Sequence, residues 1–122
     1  MAYESRIYIV DVHHLGETKS GPVIYAERIA AFDLSGMGYS NGWKELFSKP
    51  VDYAIYAEDG DTKITEDRYG ERLGSADLDR VIDWLETAEK RNHYRRIPPA
   101  LGLLKGFDPA QWENLQVLHF GY

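Results

Sequence analysis

Cysteine is absent from the 122-residue chain, which excludes disulfides, thiolate zinc sites and a cysteine nucleophile. No apolar run approaches the roughly 18 residues of a membrane helix. The opening stretch MAYESRIYIVDVHHLG has no basic region and is interrupted by Asp11, so it does not read as a secretory signal. There is no Asn-x-Ser/Thr acceptor site. Cations are in deficit, with 14 Lys and Arg against 20 Asp and Glu, a net charge of -6 and a pI near 5.1. That balance argues against nonspecific affinity for a phosphate backbone, which Lys and Arg dominate. A cytoplasmic protein with no membrane and no long nucleic-acid partner is expected.

Hydrophobic residues make up 43% of the chain, enough for a core without metal or disulfide staples. The length fits one domain over residues 1–122, burying about two-thirds of the surface that the unfolded chain exposes. Nine Tyr, four Phe and three Trp raise the aromatic share to 13%. Tyr and Trp combine apolar area with a polar handle and so suit interfaces and ligand pockets as well as cores.

Residues 5–14 put Ile7, Ile9, Asp11 and His13 on one face and Tyr8, Val10, Val12 and His14 on the other. Both faces are rich in β-branched or aromatic groups, as in a strand buried on both sides. A turn-rich connection, LGETKSGP (15–22), should follow. In residues 23–33, Tyr25, Ile29 and Phe32 fit a helical stripe, whereas Val23, Tyr25, Glu27, Ile29 and Ala31 fit one strand face. We read a strand pairing with the first. The loop SGMGYSNG (35–42) leads to a short helix at 43–47, ended by Pro50. Strands at 52–57 and 62–66 flank Glu58-Asp59-Gly60-Asp61, whose Asp-Gly pair is a strong hairpin signal. Ser75 reads as an N-cap, with Asp77 and Asp79 in the first turn of a helix marked by Leu78, Val81, Ile82, Leu85 and Ala88. Pro98-Pro99 opens a further short helix and Asp108-Pro109 another, through Trp112. A final apolar strand occupies 115–122. The class is α+β: a mainly antiparallel sheet followed by C-terminal helices packed on it.

Several constellations could carry chemistry. Asp11 and His13 share a strand face, and His119 on the last strand could join them in a two-histidine, one-carboxylate metal set. Hydrogen-bonded strand ends are the plainer account of them, since no compact metal-binding spacing is present. Gly36-x-Gly38 lacks the third glycine spacing of a dinucleotide loop, and no Gly-Lys-Ser/Thr follows it. No serine sits in a nucleophile elbow. The cations concentrate late: residues 1–60 hold 5 basic and 9 acidic side chains, residues 61–122 hold 9 and 11. DRYGERLG (67–74) and KRNHYRR (90–96) set Arg68, Tyr69, Arg72, Asn92, Tyr94, Arg95 and Arg96 among one another. Guanidinium forks grip phosphates and aromatic rings stack on bases. Surface salt bridges and helix C-terminal charge explain the same residues in plainer terms.

In its small size, cysteine-free acidic composition and β-rich front with a helical back, the whole chain resembles the phage proteins that sequester defence signals, notably the first Thoeris anti-defence family. The resemblance implies a homo-oligomer that holds a cyclic ADP-ribose-like molecule or a cyclic oligonucleotide between protomers, without catalysis and without a cofactor. The chemistry of the residues themselves singles out DRYGER (67–72) and NHYRR (92–96) for such a ligand. Arg95 and Arg96 would neutralise a pyrophosphate, Tyr69 or Tyr94 would stack on adenine, and Asn92 would read a base or ribose edge. Two other functions fit the sequence: an inhibitor or adaptor using an acidic, aromatic surface against a protein target, and a small metal-dependent enzyme built on Asp11, His13 and His119.

Overall fold

The computed structural model describes residues 4–34, 42–56, 59–60, 62–91, 94–108, 110–112 and 114–122. The double-faced apolar pattern of the first strand decides the architecture. Strand β1 (Ser5–Thr18) turns directly into β2 (Gly21–Asp33), pairing antiparallel along its length. The strand reading of 23–33 is thus the observed one. The expected connection over 15–22 contracts to a turn between Thr18 and Gly21, where the Thr18 hydroxyl donates to the Gly21 carbonyl at 3.0 Å.

After the short helix α1 (Trp43–Leu46) come four brief strands: β3 (Lys49–Pro50), β4 (Ile55–Tyr56), β5 (Lys63–Ile64) and β6 (Gly74–Asp77). Strands β4 and β5 form a hairpin of their own. Gly60 adopts φ +79°, the conformation expected of the Asp-Gly turn,; Glu58 and Asp61 lie outside the described residues, as does 35–41 of the glycine-rich loop. Helices α2 (Leu78–Arg91) and α3 (Ile97–Lys105) follow, and β7 (Leu115–Gly121) ends the chain. The main sheet runs β2-β1-β7-β6-β3, with antiparallel pairing at every described neighbour.

Two expectations are corrected. Ser75 and Asp77 do not start a helix: both belong to β6, where Ser75 pairs with Leu118 and Asp77 with Gln116. Docking onto the central strand overrides their local capping preference, so α2 begins at Leu78, with Asp79 in its first turn and Leu78, Val81, Leu85 and Ala88 buried. The segment from Asp108 makes only a turn, in which Asp108 accepts from the amides of Ala110 and Gln111 through its side chain and backbone carbonyl. Pro109 lies outside the described residues.

The sheet is covered on both faces. On one, Ile7, Ile9 and Val117 pack with Trp43, Leu85, Ile97 and Leu104 of the helices. On the other, Tyr8, Val10, Val12, Leu118 and Phe120 pack with Val51, Ile55 and Leu73. Where β6 passes α1, Gly74 has no room for a side chain, because a Cβ there would stand 2.1 Å from the Phe47 carbonyl oxygen. Gly74→Ala should therefore lower stability by about 1–3 kcal/mol, the typical cost of overpacking, read as a drop of several degrees in Tm by calorimetry.

Candidate functional site

The turn that carries Arg68 and Tyr69 is built by Asp67. Its Oδ1 accepts from the amides of Tyr69 at 2.8 Å and Glu71 at 3.0 Å, and Gly70 at φ +77° closes it. The turn docks on the end of β7, where the Arg68 amide donates to the Gly121 carbonyl at 3.0 Å and the Tyr69 hydroxyl to the Tyr122 carbonyl at 3.1 Å. Arg72 is partly committed to the scaffold, its Nε donating to the Val51 carbonyl at 2.9 Å.

The second predicted segment belongs to the helical layer. Tyr94 and Arg95 are exposed just ahead of α3, and Asn92 lies outside the described residues. Arg96 donates from Nη1 to the Asp33 carbonyl at 3.0 Å. The Asp33 carboxylate in turn holds Arg6. Arg6 also lies 4.6 Å from the centre of the Tyr122 ring and donates to the Tyr8 hydroxyl at 3.3 Å. The hydrogen bond to Asp33 pushes the Arg6 pKa up further, so this guanidinium stays charged.

Between this face of the sheet and the 59–68 segment runs a cleft of about 590 Å³, lined among others by Arg6, Tyr8, Lys63, Glu66, Arg68 and Phe120. Of the predicted residues, Arg68 lines it; Arg6 and Lys63 are additions. Arg6 could have been suspected as the one cation on a strand face otherwise occupied by Tyr8, Val10 and Val12. Lys63 carried no signal before the hairpin was known to fold over the sheet. The cleft also holds Asp59, which accepts from the Thr62 amide at 2.9 Å, and Asp67, which accepts from its own turn. Among the described residues, Arg68 and Lys63 make no side-chain hydrogen bond or ion pair. Cations and carboxylates thus alternate over an aromatic floor, where Tyr8 and Phe120 meet edge to face at 5.8 Å.

The proposed grouping of Asp11, His13 and His119 does not form. His119 pairs with Ile7 whereas Asp11 pairs with Leu115, four residues and roughly 13 Å apart along the ladder. His119 is buried beside Ser5 Oγ at 2.9 Å and packed against the rings of Phe47 and Trp43. Asp11 and His13 instead meet Glu27 across the β1–β2 pairing.

No protein-family model, curated protein or solved structure matches the chain.

Burial lowers the His119 pKa to about 4, so the ring is neutral in the fold at pH 7. The unfolded chain binds this proton near pH 6.5. Its contribution to stability is therefore complete above pH 6.5 and is lost as pH falls toward about 4, by up to about 3 kcal/mol. Urea unfolding across that window should show this slope in the wild type and a shallower one in His119→Gln.

Proposed function

We propose that the protein is a non-enzymatic binding protein that sequesters a small anionic nucleotide-type signal, of the cyclic ADP-ribose or cyclic oligonucleotide kind, as an oligomer in the cytoplasm and in the service of phage anti-defence. The observation that carries this is the alternation of cations and carboxylates around one cleft with an aromatic floor. Its volume lies within the roughly 300–1,000 Å³ usual for small-molecule sites. Lys63 and Arg68 offer their charges to phosphate oxygens. Glu66 and the other carboxylates suit ribose hydroxyls or an exocyclic amine, which a simple inorganic anion lacks. Tyr69 follows Arg68 on the same turn and is exposed, and its ring would serve as a stacking partner.

A protein target is the second reading, favoured by the β1–β2 hairpin, where Leu15, Val23 and Tyr25 are exposed. No helix of the described residues is long and apolar enough to cross a membrane.

A thermal-shift panel of cyclic nucleotides and ADP-ribose derivatives tests the proposal. A ligand at about 100 times its Kd adds about 2.7 kcal/mol, a rise of several degrees. The rise should vanish in Lys63→Ala/Arg68→Ala and persist in Arg95→Ala/Arg96→Ala. Loss only in the second pair would move the site to the helical layer, and silence across the panel would favour a protein partner.

A further inference from the structure

The Asp11, His13 and Glu27 side chains stand on the opposite face of β1 from the cleft. Asp11 and His13, two residues apart on one strand, share a face, and Glu27 is the direct cross-strand partner of Asp11. Their ligand atoms all lie within 4.8 Å of one another. His13 Nε2 is 3.3 Å from Asp11 Oδ2 and 3.2 Å from Glu27 Oε2. From these positions we infer that the protein binds a divalent transition-metal ion, zinc in the first instance, through Asp11 Oδ2, His13 Nε2 and Glu27 Oε2.

The two distances from His13 match those of a coordination sphere, and the two carboxylate oxygens lie within 4.8 Å of each other. Ligands bound at about 2.0–2.1 Å to a tetrahedral ion stand about 3.3 Å from one another. A neutral imidazole with two carboxylates is a donor set that zinc and its neighbours accept, and its charge of two is cancelled by the ion. Two of the ligands are also oriented from behind. Asp11 is 3% exposed, and its other oxygen accepts from the Asn114 amide at 2.6 Å. The His13 ring stacks on Tyr25, centroids 6.0 Å apart and planes 20° from parallel. Such outer partners fix ligand geometry at metal centres. Three protein ligands leave a further position for water or an added anion.

A separate feature of the backbone points the same way. The pairing steps from Ile9 with Ala30 to Val10 with Arg28, so Ile29 is a bulge in β2. Continued without it, the alternation would place Arg28 opposite Asp11, where it would form an ordinary cross-strand ion pair. The bulge puts Glu27 there instead and turns Arg28 to the other face, where its Nη1 is buried with no hydrogen-bond partner among the described residues. Setting a second carboxylate beside a buried one, while leaving a guanidinium nitrogen unsatisfied, costs stability on both counts. Bulges are concentrated near functional sites, where they re-aim side chains, and a bound cation offsets the first of these costs.

The test is calorimetric titration of the chelator-treated, full-length protein with zinc chloride at mildly alkaline pH, with cobalt(II) absorption as a second readout. One equivalent should bind and raise Tm, and cobalt should give the visible bands of a low-symmetry site with nitrogen and oxygen donors. His13→Ala and Glu27→Gln should each weaken binding by more than the roughly 10–100-fold that loss of an outer partner costs. His14→Ala, an exposed neighbour, should bind as the wild type does. Because Glu27→Gln changes one atom, circular dichroism will show whether it folds. Absence of stoichiometric binding to the wild type, or undiminished binding by the folded Glu27→Gln variant, overturns the inference and leaves the three residues as a hydrogen-bonded cross-strand cluster.

Discussion

Strand β7 lies between β1 and β6 although nearly a hundred residues separate it in sequence from the strand it borders at Ser5. Until it arrives, β1 has one partner and β6 has only the two-residue β3. Its register then fixes much else: Arg6 comes opposite Phe120, and Asp11 opposite Leu115 with the Asn114 amide on its carboxylate. Both the cleft and the Asp11 group thus depend on a pairing whose loop-closure entropy must be met before it contributes. A sheet closed by its last strand is expected to fold more slowly than its helix content suggests.

The helices come to that sheet from one side and residues of the 51–73 excursion from the other, so the buried apolar residues of β1 each have a layer to meet. The arrangement separates two kinds of chemistry. The cleft face carries Arg6, Lys63 and Arg68 among carboxylates, with hydroxyl and ring edges beneath. The helix face carries the nitrogen and oxygen donors of Asp11, His13 and Glu27, beyond Ile7 and Ile9, which pack against the helices. Neither group needs the other to keep its geometry.

Fold class was legible because it rests on periodicity. The two-sided apolar run of 5–14 and the stripe from Leu78 to Ala88 leave few alternatives, whereas 23–33 fitted a helical stripe as well as a strand face, and pairing with β1 decides between them. The misassigned residues were those for which tertiary pairing outweighed local preference. Ser75 has the chemistry of a cap, yet it sits in a ladder that sequence does not display. For the sites, the limits were sharper. Arg68 could be named from composition, but Lys63 becomes relevant only when a hairpin folds over the sheet. Glu27 could not be placed opposite Asp11 by alternation, since a one-residue bulge reverses the parity of everything beyond it. Asp11 and His13 were visible as a pair, whereas the partner assigned to them was a distant histidine on the neighbouring strand.

Beyond Asp11 the sheet narrows from five strands to the β1–β2 ribbon alone, since the last β1 residue paired with β7 is Asp11. Two-stranded ribbons in water are marginal by themselves. Within the sheet, the ribbon beyond Asp11 has its two strands paired only with each other, while Ile7 and Ile9 lie on a strand flanked on both sides. Local opening is therefore expected to cost less at the tip of this pair of strands than at its Ile7 end. A partner or ion engaging the junction at Asp11 acts where that gradient is steepest, and so alters the dynamics of the arm more than the stability of the body.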